Sequence, residues 1–322
     1  MKRTMIGGQA VMEGVMMKNL DKYAVAVRKP NKEIVVDVQD YIGYTEKYPI
    51  LRLPILRGVA SFVESLVVGM KTLTYSASFF EEEEEQKKPS KMDTWLEKHL
   101  KGKAEDVLIG ITVCISIIMA VGLFMVLPYF LANLLRHYTD SNFFISFMEG
   151  VVRIGLFLFY IILTSQMSDI RRTFMYHGAE HKTINCLEHG EELTVENIRK
   201  HSRYHKRCGT SFLLIVMVIS VIFFMFIQVE GTWMRLLVRL LLVPVIAGVS
   251  YEFIRLAGKS DHSFVNWLSK PGMALQGLTT REPEDEMIEV AIRSVEAVLD
   301  WKEYINALNN GEVEGCCSVK EK

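Results

Sequence analysis

The stretch "VLIGITVCISIIMAVGLFMVLPYFLANLL", residues 107–135, carries no charged side chain from end to end. It is longer than the roughly 20 apolar residues that cross a bilayer, so it reads as a membrane-spanning helix with Pro128 as its kink or exit. Three further blocks have the same character. "FFISFMEGVVRIGLFLFYIILTS" (143–165) spans provided Glu149 lies near its start and Arg153 finds a partner, the nearest being Glu149 one turn earlier. "TSFLLIVMVISVIFFMFIQV" (210–229) is uncharged, and "MRLLVRLLLVPVIAGVSYEFIRLA" (234–257) keeps Arg235 and Arg239 towards one end and Glu252 and Arg255 towards the other, where long side chains can snorkel. Four spans are expected.

Composition agrees with that reading. Half of the residues are hydrophobic while 23% are charged, and the mean hydropathy is +0.18, a mixture that means apolar blocks separated by polar ones. A net charge of −1 implies no nucleic-acid partner. Cys114, Cys186, Cys208, Cys316 and Cys317 show no spacing of a disulfide framework, which points to a reducing compartment. "MKRTMIGGQAVMEG" lacks the continuous apolar core of a cleavable signal, so the start of the chain is expected to stay on the side where it was made.

Orientation follows from the basic residues. Arg171, Arg172, Lys182, Arg199, Lys200, Arg203, Lys206 and Arg207 lie between the second and third spans, whereas the link between the first and second offers only Arg136. Lys98, Lys101 and Lys103 precede the first span, and Lys259 and Lys270 follow the fourth. Both termini and the 166–209 connection are therefore expected in the cytoplasm, and the lipid bilayer is the first partner. The remaining segments divide into a β-rich piece (1–54), an amphipathic interfacial helix (55–80), a charged linker (81–105) and a C-terminal segment (258–322). "YAVAVRKPNKEIVVDV" (23–38) alternates around a Pro-Asn-Lys turn and predicts a hairpin, with "AVMEGVMM" as a further strand. In 55–80, Ile55, Val59, Phe62, Val63, Leu66, Met70 and Leu73 form an apolar face opposite Arg57, Glu64 and Lys71, for which no partner charges are obvious. Residues 282–310 read as one helix that docks on the other cytoplasmic pieces. The expected fold class is an α+β membrane protein, with a four-helix transmembrane bundle, a small antiparallel sheet and amphipathic helices.

The chemistry concentrates in "HGAEHKTI" (177–184). On a helix His177 and His181 sit one turn apart and can converge on one ion, with Glu180 on the neighbouring stripe. His-x-x-Glu-His is the order of the inverzincin metalloproteases, whose glutamate activates the metal's water. Zinc or another divalent metal needs at least one more ligand, and His205 and Cys208 in "YHKRCGTSF" are the best candidates; Glu188 and His189 reach only if the helix ends before them. The opposing reading is a basic, His-rich loop that simply meets anionic headgroups. "GGQ" at Gly7–Gln9 resembles the tripeptide of peptide-chain release factors, but it leads straight into an apolar strand, so its glycines read as a tight turn or a close backbone approach. Glu13 and Gly14 are further candidates to line the site.

"GGQAVMEGVMMK", "RGVASFVESLVVGMKTL", "HGAEHKTI", "RCGTSFLL", "EFIRLAGK" and "LTTREPEDEMIEVAI" closely resemble the blocks of the YqhQ-like bacterial membrane proteins, over about residues 3–300. The resemblance implies a predicted metal-dependent enzyme of the bacterial membrane, with His177, Glu180, His181, His205 and Cys208 in its characteristic blocks. The family's proline before Arg207 is here Lys206. Two functions follow. One is a metal-dependent hydrolase of a lipid or membrane-bound peptide, with Glu180 as general base and His177, His181, His205 and Cys208 as the ligand pool. The other is a non-catalytic scaffold, transport or assembly factor, with other membrane proteins as partners and a metal closed by four protein ligands.

Overall fold

The computed structural model describes residues 6–80, 104–205, 207–227, 229, 231–259 and 263–310. Residues 81–103 of the linker expected at 81–105, Lys206, Cys316 and Cys317 lie outside the described residues. The chain forms two compact units, one from Met1–Phe80, Ile161–Ile215 and Ala247–Lys322, the other from Glu81–Tyr160 and Val216–Ile246.

The first unit is built on an antiparallel sheet, β1 (Gly7–Val11), β2 (Gly14–Asn19), β3 (Lys22–Arg28) and β4 (Ile34–Asp40), in spatial order β1-β2-β3-β4. "AVMEGVMM", read above as one strand, is a hairpin folded at Glu13, whose φ of 49° is left-handed. Gly14 lets β2 begin there, since a Cβ on it would lie 2.4 Å from the Ala26 carbonyl oxygen. The β3–β4 turn falls at Pro30–Lys32 as expected, with Lys32 at φ 69°.

Both faces of the sheet are covered, which is why β2 and β3 read as nearly unbroken apolar runs. Val15, Met17 and Ala26 join a core with Tyr176, Ile184 and Leu187 of one helix and Met287, Ile288 and Ala291 of another. Val11, Met16, Tyr23, Val25 and Val27 pack with Val68 on the opposite face. The covering elements are α1 (Leu56–Ala77) on that second face and, on the first, α4 (Ser168–Glu188), α5 (Val195–Lys200), α9 (Asp285–Val298) and α10 (Trp301–Asn309). The one helix expected over 282–310 is thus two, because Leu299 is extended and Asp300 caps a new start, accepting from the amides of Lys302 and Glu303.

Helix α1 buries its small and polar stripe, Gly58, Ala60, Glu64, Gly69, Thr72 and Ser76, and exposes Val63, Leu66, Val67, Met70 and Leu73. Two of its charges have partners: Arg57 makes a two-pronged ion pair with Glu252, and Glu64 accepts the main-chain N–H of Tyr44. Glu252 is therefore tied to α1 and does not snorkel.

Four helices are long and apolar enough to cross a membrane: Gly110–His137, Asn142–Thr164, Gly209–Phe226 and Thr232–Leu256. They include α2 (Ala104–Val121), α3 (Asn142–Thr164), α6 (Gly209–Phe226) and α7 (Thr232–Lys259); α8 (Ser263–Thr279) follows. The second unit is organised by charge. Glu149 and Arg153 of α3 pair at 2.6 Å, and Arg239 of α7, expected to snorkel, is buried and binds the same Glu149 oxygen. Arg153 also donates from Nε to the Phe124 carbonyl at 2.8 Å. In an α-helix that carbonyl would receive the N–H of residue 128, which is proline and has none. A π-helical turn, Gly122–Val126, precedes it. Pro128 cannot donate to that carbonyl, and the buried guanidinium does. Ser220 receives Arg153 Nη1 at 3.3 Å, and the Phe224 ring lies 5.0 and 4.8 Å from the two guanidinium carbons.

With two cations on one carboxylate, Glu149→Gln removes the counter-charge that both share, whereas Arg239→Met leaves a neutral pair. Glu149→Gln is expected to cost on the order of 3 kcal/mol or more and to lower the unfolding midpoint in detergent micelles well below that of Arg239→Met. Equal midpoints would show that the cluster does not depend on its carboxylate.

Candidate metal centre

Helix α4 is buried along its C-terminal half although that half is polar: Glu180, His181, Lys182, Thr183, Asn185 and Glu188 are all inside. It ends in a left-handed Gly190 (φ 75°) that lets the amides of residues 189–191 return to the Asn185, Leu187 and Cys186 carbonyls. Its polar side chains hold the following loop by main-chain oxygens. Lys182 donates to Arg199 O (3.0 Å), Asn185 to Ser202 O (2.6 Å) and Tyr204 O (3.1 Å), and His181 Nδ1 to Arg203 O (2.6 Å). From the other side, the end of α8 supplies Thr279 O to His177 Nδ1 at 2.9 Å. Gly178 makes that approach possible. A Cβ there would lie 1.9 Å from Arg281 O, in the segment whose amide bonds Phe174 O.

With both Nδ1 atoms engaged by carbonyls, each imidazole presents Nε2 as the free lone pair, the arrangement that orients metal-binding histidines. Cys208 completes the convergence. Its sulfur is 3.3 Å from His177 Nε2, and donor atoms of His177, His181 and Cys208 all lie within 4.8 Å of one another. Cys208 immediately precedes α6 and its sulfur receives the Thr210 N–H at 3.4 Å, at the helix end where negative charge is favoured.

His205, the fourth expected ligand, is near but not in this set. Its ring centroid is 5.7 Å from that of His181, its Nε2 is 3.6 Å from Glu188 Oε2, and Gln276 clamps its main chain by accepting from N (2.9 Å) and donating to O (2.8 Å). Glu188 also pairs with Arg207, so it is committed elsewhere. His189 Nδ1 donates to Asn185 O at 2.6 Å. Glu13 does not line the site; it pairs with Arg172. Gln276, Thr279 and Arg203 were not anticipated, because two of them act through main-chain oxygens that side-chain chemistry does not advertise. A second grouping, Cys186, Glu191 and His201, also falls within 4.8 Å. There the buried thiol donates towards the Glu191 and Glu192 carbonyls, and burial pushes it up to about 12.

The three converging donors open on a cleft of about 390 Å³ lined by α4, His205, the 207–210 segment and residues Ile6–Ala10. Glu180 lines it too, buried, with Oε2 lacking a hydrogen-bond partner among the described residues. Its side chain lies directly against Gly8, where a Cβ would come within 2.7 Å. The close backbone approach expected at "GGQ" is therefore present at Gly8. Burial raises the Glu180 carboxyl to about 7, with the neighbouring His177 opposing the rise, and burial lowers His181, favouring the neutral imidazole that ligates metals.

The family described as a protein of unknown function (DUF1385) matches residues 53–301, which include every residue of the three-donor set. The uncharacterized protein YqhQ of Bacillus subtilis (strain 168) is 34% identical over 301 residues, 91% of this chain and 92% of its own length. The chain belongs to the YqhQ-like family. No solved structure matches it. The YqhQ-like blocks quoted above thus carry both the helix with its two histidines and the Cys208 turn that meets it.

The Glu180 shift has a definite sign. Between its ordinary value of 4.5 and about 7 the unfolded chain releases the proton while the folded protein keeps it, so Glu180 makes stability fall as pH rises through that window. Glu180→Gln cannot ionise. In metal-stripped protein the variant's unfolding midpoint should gain on wild type steadily across that range and hold a constant offset below it; an offset independent of pH throughout would mean that Glu180 titrates as an ordinary carboxyl.

Proposed function

We propose that the protein is a membrane-anchored, metal-dependent hydrolase with its cleft on the cytoplasmic side. The observation that carries this reading is a set of three converging donors, with imidazoles oriented from behind, facing a cleft that also holds a buried carboxylate, one of whose oxygens has no partner among the described residues. Two imidazoles and a thiolate suit zinc, and three protein ligands leave the open position that distinguishes a catalytic site from a structural one. Bound there, a divalent ion would supply Lewis acidity towards an acyl oxygen and towards water. Glu180 Oε2 takes one proton from the attacking water as the water oxygen bonds the acyl carbon. The carboxyl then returns that proton to the leaving atom as its bond to carbon breaks. A raised affinity for protons in the resting site suits a group that must accept one and give it back.

Membrane placement rests on the four apolar helices and on the basic residues at 171–207, which favour the cytoplasm for α4 and both termini. The exposed row of Val63, Leu66, Met70 and Leu73 on α1 is suited to the bilayer interface. A scaffold with a structural metal remains the competing reading, favoured by the proximity of His205, which would close the site by leaving Glu188.

Metal content and function measured on the same purified variants separate the two. His177→Ala, His181→Ala and Cys208→Ala should each lose bound zinc by elemental analysis, while His205→Ala should keep it. Glu180→Gln should keep full metal and normal abundance but fail to complement a deletion strain. Complementation by Glu180→Gln, with loss of zinc in His205→Ala, would establish the structural site instead. Independently, a single cysteine at Glu196, in a background without the native cysteines, should be shielded from an impermeant thiol reagent in intact cells. Labelling from outside would move the cleft to the other side of the membrane.

A further inference from the structure

The hydrolase reading leaves lipid and polypeptide substrates open, and the wall of the cleft opposite α4 distinguishes them. Ile6, Gly7, Gly8, Gln9 and Ala10 all line it. Side chains of a strand point alternately to opposite faces, so five consecutive lining residues mean that the cleft reaches the main-chain edge of β1 and is not confined to one of its faces. That edge is free: β1 is the outermost strand of the sheet. Among the described residues, the main chain of Gly7–Ala10 makes no hydrogen bond beyond its ladder with β2. Half of its N–H and C=O groups therefore face away from β2 with no partner among the described residues, the kind of edge that soluble folds usually cover, charge or shorten.

The residues at this edge keep it accessible. Gly7 and Gly8 are exposed and carry no side chain that would hold an incoming backbone away. Gly8 also sets the general base directly behind the edge, since the Glu180 side chain occupies the space where its Cβ would be. An edge row of alternating donors and acceptors is complementary to an extended polypeptide and to little else; a phospholipid headgroup offers acceptors but no matching repeat of donors.

We propose that the cleft binds an extended polypeptide, which adds to the free edge of β1 as a fifth strand and so draws its main chain across His177, His181, Cys208 and Glu180. This rests on the hydrolase reading for the fate of the peptide but not for its binding. Strand addition fixes the substrate by main-chain hydrogen bonds, leaves the side-chain sequence weakly read, and requires an unfolded segment.

Hydrogen exchange on the full-length protein in micelles tests it, with the probe a pool of randomised decapeptides at millimolar total concentration. The Glu180→Gln protein is used so that the probe is not consumed. Amides of residues 7–10 should slow by about tenfold or more when the pool is added, while those of β3, already paired on both sides, stay unchanged. The same pool N-methylated at alternate amides should not protect them. Absence of protection, or equal protection by the methylated pool, overturns strand addition. Wild-type protein is then offered the peptide pool and vesicles of phosphatidylglycerol and phosphatidylethanolamine. Protection without cleavage of either upholds strand addition and removes the hydrolase reading. Cleavage of lipid without protection by peptide does the reverse.

Discussion

A polar helix can be buried only if its side chains find partners, and that constraint shapes the first unit around α4. Leaving one such group unmatched costs roughly 1–3 kcal/mol, and α4 buries six polar side chains in nine residues, from Glu180 to Glu188. The partners are largely main-chain oxygens: Arg199, Ser202, Arg203 and Tyr204 on one side, Thr279 on the other. Carbonyls can serve only where the chain that carries them is held in place, so the 199–205 loop and the end of α8 are ordered by the helix they satisfy. The convergence of His177 and His181 on Cys208 is a consequence. Both rings are turned by the oxygens behind them, and the same loop delivers Cys208 to the start of α6.

A comparable logic governs the second unit, among helices long and apolar enough to cross a membrane. Arg153 and Arg239 are tolerable within apolar helices because Glu149, Ser220 and the Phe124 carbonyl meet them. Pro128, four residues beyond Phe124, has no N–H with which to compete for the last of these. Here a helix defect and a buried charge, each costly alone, satisfy one another.

Periodicity and hydropathy made much of this legible. The four apolar helices, the β3–β4 hairpin, α1 and the pairing of Arg153 with Glu149 could be read directly, because each is a local pattern or a one-turn spacing. "AVMEGVMM" was not legible as two strands, since a sheet covered on both faces loses the alternation that marks a hairpin, and the turn at Glu13 uses a residue with no turn signature. The split at Asp300 hid in an apolar stripe that continues through it. In the site, residue type singled out His177, His181 and Cys208, but His205 has the same chemistry and only the Gln276 clamp and Glu188 turn it away. Arg239 and Glu252, at positions suited to snorkelling, instead bind partners remote in sequence. No window along the chain contains those pairings.

The exceptions to satisfaction are informative for the same reason. Glu149 meets two guanidiniums, and Glu188 meets Arg207 and lies close to His205. Glu180 is as deeply buried as either, yet it is the one carboxylate among the described residues with a buried oxygen that nothing engages. It faces the cleft beside three donors that are themselves oriented from behind, next to a strand edge whose outward main chain is equally unpaired. A fold that matches its other buried carboxylates so thoroughly leaves unmatched, in one place, an acid and a row of amides and carbonyls. Local rules broken together at one concave site, while they hold elsewhere, are the mark of a surface shaped for something that is not part of the chain.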